Sequence, residues 1–230
     1  MEHYSGTPIL VAADNVILGF DAQEEVLKVL LIRRRVEPDA GKWSLVGSFI
    51  DPSESAHSAA KRILRQYTGI EIAYLEQFRT YSSVHRDSGD RVISIAYYSL
   101  IRIDDLTGPI SPEFSAQWVT VNEAKNLVMD HDKILRDALN AIKEKSKLYP
   151  LGVNLLPEKF TLPTLLKLYQ EIYKEPLDDR NFRRKILSSG ILLKLDEKDK
   201  SNSRKGAFYY QFNIQNYYEL VKKGFSFQFV

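Results

Sequence analysis

Residues 48–70 read SFIDPSESAHSAAKRILRQYTGI, a loop followed by an amphipathic stretch and a Thr-Gly-Ile exit. Apolar side chains recur at helical spacing, which predicts a helix from Ser55 to Tyr67 whose small residues allow close packing against a sheet. They are Ala56, Ala59, Ala60, Ile63, Leu64 and Tyr67. The loop-helix-loop frame is that of a cation site, yet no carboxylate stands between Glu54 and Glu71. The frame therefore lacks the hard oxygen ligands that such a site needs.

The composition is that of an ordinary folded protein, with 44% hydrophobic and 27% charged residues among 230. The chain contains no cysteine, so disulfides and thiolate metal sites are excluded. The N-terminus lacks the basic and apolar regions of a signal peptide, and no apolar run approaches the roughly 20 residues that span a bilayer. We expect a cytoplasmic protein without a membrane partner.

Charge is distributed unevenly along the chain. Residues 1–149 hold 18 basic and 21 acidic residues, a net charge of −3, whereas residues 150–230 hold 14 and 9, a net charge of +5. This asymmetry indicates different partners for the two parts. Pro150 and Gly152 break the polar helix that precedes them, so we predict two domains, 1–149 and 150–230.

The first domain has the pattern of a mixed α and β fold. Short β-branched and apolar segments separated by turn residues predict strands. These segments are Pro8–Leu18, Val26–Ile32, Glu76–Thr80, Val92–Ile103 and Ala116–Val121. Residues 33–47, with two glycines and a tryptophan, are predicted as a loop. Asn122 is a suitable N-cap, which predicts a further helix beginning at Glu123.

The second domain begins with two predicted helices joined by a short turn. The first covers residues 160–173, with Thr161 as its cap. The second covers residues 179–189 and turns Phe182, Ile186 and Leu187 inward. Its polar side chains face outward or flank the outward face; they are Arg180, Asn181, Arg183, Arg184, Lys185 and Ser188.

A predicted β-hairpin follows the second helix. Its strands are Ile191–Leu195 and Ala207–Phe212, and the charged loop between them carries Lys200, Arg204 and Lys205. Helix, turn, helix and basic hairpin together predict a winged helix. A basic cluster alone is more often a solvated surface, but the second helix of this motif fits the major groove, where Asn and Arg reach base edges while Lys and Arg hold phosphates. We therefore predict that these polar and basic residues bind double-stranded DNA.

The stretch at residues 48–70 resembles a degenerate Nudix box, Gly-x5-Glu-x7-Arg-Glu-U-x-Glu-Glu-x-Gly-U, in which U is aliphatic. The matching positions are Glu54, Arg62, Leu64, Gly69 and Ile70; Ser48 replaces the first glycine, and Ile63, Gln66 and Tyr67 replace the helical glutamates. In Nudix hydrolases those glutamates hold divalent cations that polarise a pyrophosphate and activate water. The resemblance therefore implies a Nudix-type α/β/α sandwich that is not an enzyme, with no catalytic residues, metal site or cofactor.

A degenerate Nudix domain followed by a winged helix resembles the Nudix-related transcriptional regulators over essentially the whole chain. The segments similar to that family are GKWSLVGSFI, AYLEQF, HRDSGDRVISIAYYSLI, GVNLLPEKFTL and LDDRNFRRKIL, of which the last is the most specific. The resemblance implies an α+β homodimer that binds a DNA operator, as a repressor or an activator, and whose Nudix cleft senses a small-molecule effector.

The effector is predicted from the candidate lining of the cleft. The family includes repressors of NAD metabolism that sense ADP-ribose and regulators of pentose catabolism that sense sugars such as L-arabinose. A diphosphate needs positive charge or metal in the cleft, whereas a neutral sugar needs aromatic faces and hydrogen-bond partners. The candidate lining residues are Trp43, Phe49, Tyr81, His85, Arg86 and Asp87. The loss of the metal site and the loop YSSVHRD at residues 81–87 favour a pentose effector and regulation of carbohydrate metabolism over ADP-ribose.

Two other function classes remain open at this point. The first is a Nudix hydrolase with residual activity, and the second is an adaptor that uses the winged helix to bind another protein. The candidate lining residues are also compatible with structural roles, since Trp43 is as suitable for packing as for stacking on a ligand.

Overall fold

The computed structural model describes residues 6–71, 74–106, 115–201 and 204–223, which form two compact units. The first unit contains the described parts of Met1–Leu18, Val29–Leu100 and Leu106–Ala138, and the second contains those of Gly19–Lys28, Ile101–Asp105 and Leu139–Val230. The predicted division between residues 149 and 150 stays a prediction. Within the described ranges, no helix is long and apolar enough to cross a bilayer.

The N-terminal strands form one six-stranded sheet. They are β1 (Leu10–Asp21), β2 (Val26–Arg33), β3 (Trp43–Phe49), β4 (Tyr74–Tyr81), β5 (Val92–Arg102) and β6 (Gln117–Thr120), in the order β4-β5-β1-β3-β2-β6. The five predicted strands are confirmed with small shifts at their ends. The prediction of a loop over residues 33–47 is wrong at its C-terminal end, because β3 lies between β1 and β2 and buries Leu45 and Val46. A strand between two others gains its ladder from both neighbours, which local pattern does not reveal.

Helix α1 (Ala56–Thr68) confirms the helix predicted from residue spacing. The side chain of Ser55 caps it by accepting a hydrogen bond from the backbone N–H of Ser58, and Gly69 closes it with a left-handed φ of 73°. The buried face consists of Ala59, Ala60, Ile63, Leu64 and Tyr67 and packs against β3. This packing places α1 beside β3, a strand that also lines the cavity described below.

The helix predicted to begin at Glu123 is wrong. The backbone N–H groups of Glu123 and Ala124 both donate to the carbonyl of Thr120, which makes a single turn. Asn126 and Met129 then take left-handed conformations, with φ of 58° and 53°, and these interrupt a helix. Helix α2 begins only at His131 and ends at Ser146 (His131–Ser146).

The C-terminal elements form a helix-turn-helix followed by a hairpin. They are α3 (Gly152–Leu155), β7 (Phe160–Thr161), α4 (Leu162–Tyr173), α5 (Asp179–Ser188), β8 (Leu192–Asp199), β9 (Ala207–Phe212) and α6 (Ile214–Lys222). The strands pair in the order β7-β9-β8. Thr161 caps α4 as predicted, and Asp178 caps α5 by accepting from the backbone N–H of Asn181 at 2.7 Å. The predicted helices and the predicted hairpin are thus present.

Two details of this unit differ from the predictions. Phe182 and Ile186 are buried, but Leu187 is 46% exposed, because it lies about 100° around the helix from Ile186 and outside the stripe that the other two share. Strand β8 continues to Asp199, so residues 196–199 belong to the strand and the tip begins only at Lys200. The pairing with β9 shifts register between Lys194 and Lys198 and resumes at Lys198.

Candidate ligand cleft and nucleic-acid interface

A cavity of about 390 Å³ opens in the first unit. Its wall is built from β1, β3, the end of β2 and the segment that follows it, the buried face of α1 at Tyr67, and the loop before β5. This is the position at which the degenerate Nudix box meets the sheet, so the cavity is the candidate effector cleft.

The surviving Nudix-box residues contact each other. Arg62 donates to both carboxylate oxygens of Glu54, at 2.6 and 3.1 Å, and to the carbonyl of Phe49 at 3.1 Å. The hydrogen bond from Arg62 lowers the pKa of Glu54, which therefore stays ionised and paired. Arg62 thereby fastens the end of β3 and the loop before α1 to the middle of that helix, beside the cleft.

The replaced box positions do not fit a divalent cation. Ile63 is buried in the apolar face, Gln66 is exposed, and Tyr67 lines the cavity with a phenol whose pKa is raised by burial. A neutral phenol and an amide are poor ligands for Mg²⁺, which prefers charged oxygens. Across the part of the chain that the structure describes, no three acidic, histidine or cysteine side chains are grouped so as to hold a metal.

Three consecutive arginines line the cleft: Arg33, Arg34 and Arg35. The guanidinium of Arg33 lies 3.8 Å from the ring centroid of Trp43, and Nε of Arg34 donates to the carbonyl of Pro38 at 2.7 Å. These contacts orient two of the three positive groups. Val36 and Phe49, which are 61% and 53% exposed, add apolar surface to the same cavity.

A buried charge network forms the floor of the cleft around Arg86, which is 7% exposed. Arg86 donates to both oxygens of Asp130, at 2.8 and 3.1 Å, and to Oδ2 of Asp14 at 3.2 Å. Ser94 donates to the same Oδ2 at 2.5 Å. Burial opposes the charge of Arg86, but the hydrogen bond to Asp130 and the charge of Asp14 raise its pKa above the ordinary value. Arg86 therefore keeps its positive charge although it is buried.

His131 borders this network as a neutral imidazole. Its Nδ1 accepts a hydrogen bond from the backbone N–H of Leu45 at 3.1 Å, so its proton lies on Nε2, which is 3.8 Å from Oδ2 of Asp14. Burial lowers the pKa of His131. The imidazole thus ties the start of α2 to β3 without adding charge.

Helix α5 presents the predicted DNA-binding residues at different depths. Arg180, Arg184 and Ser188 are exposed, whereas Asn181, Arg183 and Lys185 are half-buried. Arg184 donates to Oδ1 of Asn181 at 2.8 Å, and Arg183 pairs with Asp179 at 2.5 Å.

The wing carries more positive charge than the sequence analysis assigned to it. Lys200, Arg204 and Lys205 are exposed near its tip. Lys194 and Lys198 on β8 also lie over the ring of Phe208, at 3.6 and 4.3 Å from its centroid. Sequence reasoning missed Lys198 because it placed residues 196–199 in a loop; with the strand extended, Lys198 lies directly opposite Phe208. Lys194 lies within the predicted strand but was not selected.

Comparison with known proteins gives independent evidence for both parts of the chain. Residues 10–138 match the NUDIX domain family, and residues 152–212 match the NrtR DNA-binding winged helix domain. The ADPR responsive transcriptional repressor NtrR of Acinetobacter baylyi is 30% identical over 212 residues, which cover 90% of this chain and 84% of that protein. This chain belongs to the NrtR family of Nudix-domain transcriptional regulators.

Two solved structures of NrtR from Shewanella oneidensis are similar to this family member. NrtR complexed with a 27mer DNA has a TM-score of 0.79 and 25% identity, covering 94% of this chain and 97% of the other. The NUDIX domain of NrtR complexed with ADP ribose has a TM-score of 0.51 and 26% identity, covering 60% and 90%. The predicted family and the predicted order of Nudix-type domain and winged helix are confirmed. The preference for a pentose gains no support from these relatives, and ADP-ribose is the better supported of the two predicted effectors.

In this NrtR family member, the predicted effector residues do not all meet in one place. Phe49, Arg86 and Asp87 line the cleft, while His85 lines a neighbouring cavity of about 460 Å³ that Arg86 also borders. Trp43 and Tyr81 line neither cavity: Trp43 lies beneath Arg33, and Tyr81 donates to Asp137 at 2.9 Å. Their assignment as ligand-binding residues stays a prediction. The sequence analysis did not select the three arginines or Asp14, although a run of three arginines in an acidic domain is a visible signal.

Proposed function

We propose that this protein is a transcriptional repressor whose affinity for its operator is lowered by ADP-ribose bound in the Nudix-type cleft. The observation that supports this proposal most strongly is the lining of the cavity by Arg33, Arg34 and Arg35. Guanidinium groups bind phosphate oxygens through two parallel hydrogen bonds, and a diphosphate offers several such oxygens. A neutral pentose has no charge for these arginines to bind.

The size and the apolar surface of the cleft favour a nucleotide over a free sugar. A cavity of about 390 Å³ is within the range of sites for molecules of drug size, roughly 300–1,000 Å³. Phe49 and Val36 supply exposed apolar faces in the same cavity, and an adenine ring stacks on such surfaces. Both requirements of an adenine nucleotide, a phosphate site and an apolar platform, are therefore met by one cavity.

The second unit supplies the DNA-reading surface of the proposal. Arg184 and Asn181 have the side chains that read guanine and adenine edges, and the exposed Arg180, Lys200 and Arg204 have the charge to bind phosphates. The effector lowers DNA affinity only if it binds the DNA-free state more tightly than the operator-bound state. A homodimer, whose two recognition helices would read a palindromic operator, and a cytoplasmic location remain part of the proposal.

Hydrolysis is not part of the proposed function. Glu54, the carboxylate kept at its position in the box pattern, is paired with Arg62, and Tyr67 stands where a cation-binding glutamate would be needed. We expect no turnover of ADP-ribose with Mg²⁺ above background, as measured by chromatography of the products. Turnover that disappears in a Glu54→Gln variant would instead support a hydrolase with residual activity.

Fluorescence anisotropy with labelled promoter fragments adjoining the protein's own gene tests the proposal. We expect specific binding that ADP-ribose weakens and L-arabinose does not change. Arg35→Gln should raise the ADP-ribose concentration needed for half of the effect on DNA binding by about tenfold or more, since charge-assisted hydrogen bonds contribute about 1.5–3 kcal/mol. Arg65→Gln is the matched control, because Arg65 is a 69% exposed side chain on α1 that pairs with Glu71 and does not line the cleft. A response to L-arabinose alone would overturn the choice of effector.

A further inference from the structure

At the floor of the cleft, the two carboxylate oxygens of Asp14 differ in the hydrogen bonds that they accept from the described residues. Oδ2 of Asp14 accepts hydrogen bonds from Ser94 at 2.5 Å and from Arg86 at 3.2 Å. Among the described residues, none donates a hydrogen bond to Oδ1. Asp14 lines the cavity and is only 6% exposed, so its orientation is fixed by the network and Oδ1 is the oxygen left for a ligand.

Gly47 keeps the space around that oxygen open. It lies opposite Asp14 in the β1–β3 pair and also lines the cavity. A Cβ built on Gly47 would collide with Oδ1 of Asp14 and would lie 3.2 Å from the backbone carbonyl oxygen of Ala13. Since one of these obstacles is backbone, a side chain at position 47 would have to displace Asp14.

We propose that Oδ1 of Asp14 accepts a hydrogen bond from an uncharged hydroxyl or amine of the ligand and thereby sets the direction in which a phosphate-bearing ligand lies in the cleft. This inference rests on the proposed function. An ionised carboxylate is an acceptor only and repels phosphate, whereas the arginines of the same cavity attract it. The guanidinium of Arg86 is already bonded to Asp14 and Asp130. The phosphates therefore lie at Arg33, Arg34 and Arg35, and a neutral end of the ligand reaches the floor.

An Asp14→Asn variant tests the role of the free oxygen. Because Ser94 and Arg86 both donate to Oδ2, the amide oxygen takes that position and the amide NH₂ replaces Oδ1, so an acceptor in the cleft becomes a donor. We expect the affinity for ADP-ribose, measured by isothermal titration calorimetry, to fall by at least about tenfold. Asp137→Asn is the matched control, because it makes the same charge change beside an arginine, Arg79, but lines neither this cavity nor the neighbouring one. Its affinity should stay within about threefold of the unmodified protein.

A ligand-side measurement on the unmodified protein tests the inference without depending on the folding of a variant. Analogues of ADP-ribose that lack one ribose hydroxyl each, and the inosine analogue that lacks the adenine amine, are titrated in the same way. We expect one of them to bind at least about tenfold more weakly than ADP-ribose, which identifies the donor. Losses within about twofold for every analogue, or equal losses in Asp14→Asn and Asp137→Asn, would overturn the assignment. Failure of the unmodified protein to bind ADP-ribose would overturn the proposed function itself, and this assignment with it.

Discussion

The ligand cleft and the recognition helix both use arginine, but they hold it in different ways. Arg86 at the floor of the cleft is 7% exposed and lies between Asp14 and Asp130, whereas Arg184 on α5 is exposed and donates a hydrogen bond to the neutral amide of Asn181. A buried ion pair is assembled at folding and rigidly oriented, while an exposed guanidinium is free to choose its partner at binding. Substitutions in the cleft should therefore change stability, and those on α5 should change DNA affinity alone.

The largest expected effect is on the cleft side of this comparison. Arg86→Ala leaves the buried carboxylate of Asp14 and the half-buried carboxylate of Asp130 without their cation, so we expect the free energy of unfolding to fall by about 3–5 kcal/mol in urea denaturation. Arg79→Ala is the matched control, because its ion pair with Asp137 involves a 57% exposed arginine side chain. That pair should contribute less than about 1 kcal/mol. Equal losses in the two variants would show that the buried Arg86 network contributes no more to stability than an exposed ion pair.

The next largest effect is expected on operator affinity when the proposed base-reading residues of α5, Arg184 and Asn181, are replaced. Arg184→Ala and Asn181→Ala should each weaken operator binding by about 1–3 kcal/mol and relax sequence preference, with little change in thermal stability. Because the two side chains share a hydrogen bond of 2.8 Å, their effects should not add. Unchanged operator affinity in both single variants would remove α5 from base recognition. Competition anisotropy with mutated operators is the measurement.

Acid should destabilise the cleft unit through His131, whose folded pKa is lowered by burial. As pH falls below the unfolded value of about 6.5, the unfolded chain binds a proton that the folded protein resists. The free energy of unfolding then falls by at most about 1.4 kcal/mol per pH unit. A His131→Asn variant should show a smaller loss between pH 7.5 and 5.5. Parallel pH profiles for the two proteins would contradict a neutral buried imidazole.

The smallest expected effect concerns the tip of the wing, where Lys200 and Lys205 are exposed. Lys200→Ala or Lys205→Ala should weaken specific and non-specific DNA about equally and reduce the slope of log affinity against log salt by about 1. Binding isotherms at roughly 50 to 200 mM salt would measure this slope. A loss confined to the operator would instead assign these lysines to base recognition.

The sequence predicted well those helices whose signals lie within their own residues. Helices α1 and α5 were predicted to within one residue at each end, because their caps and apolar spacing lie within the segments themselves. Strand β3 was missed, since its identity depends on the two strands that flank it. The helix at Glu123 was predicted from a plausible cap, but the left-handed residues Asn126 and Met129 prevent it.

The site itself was less predictable because its members are far apart in sequence. Asp14 lies 72 residues from Arg86 and 80 from Ser94, and no local pattern joins them. A lone aspartate within the apolar stretch PILVAADNVIL was nevertheless a signal, because a charge in a buried strand requires a partner. The arginines at 33–35 were visible, but only the folded sheet shows that they line the cleft.

The central claim, that one effector site in the cleft is coupled to operator binding, is tested most directly by reciprocity. Calorimetric titration of ADP-ribose into the free protein and into the protein saturated with operator gives the two affinities. Coupling of about 1–3 kcal/mol predicts that ADP-ribose binds the free protein roughly 5–150-fold more tightly, and that the operator is weakened by the same factor. Equal affinities of ADP-ribose for the free and the operator-bound protein would contradict the account.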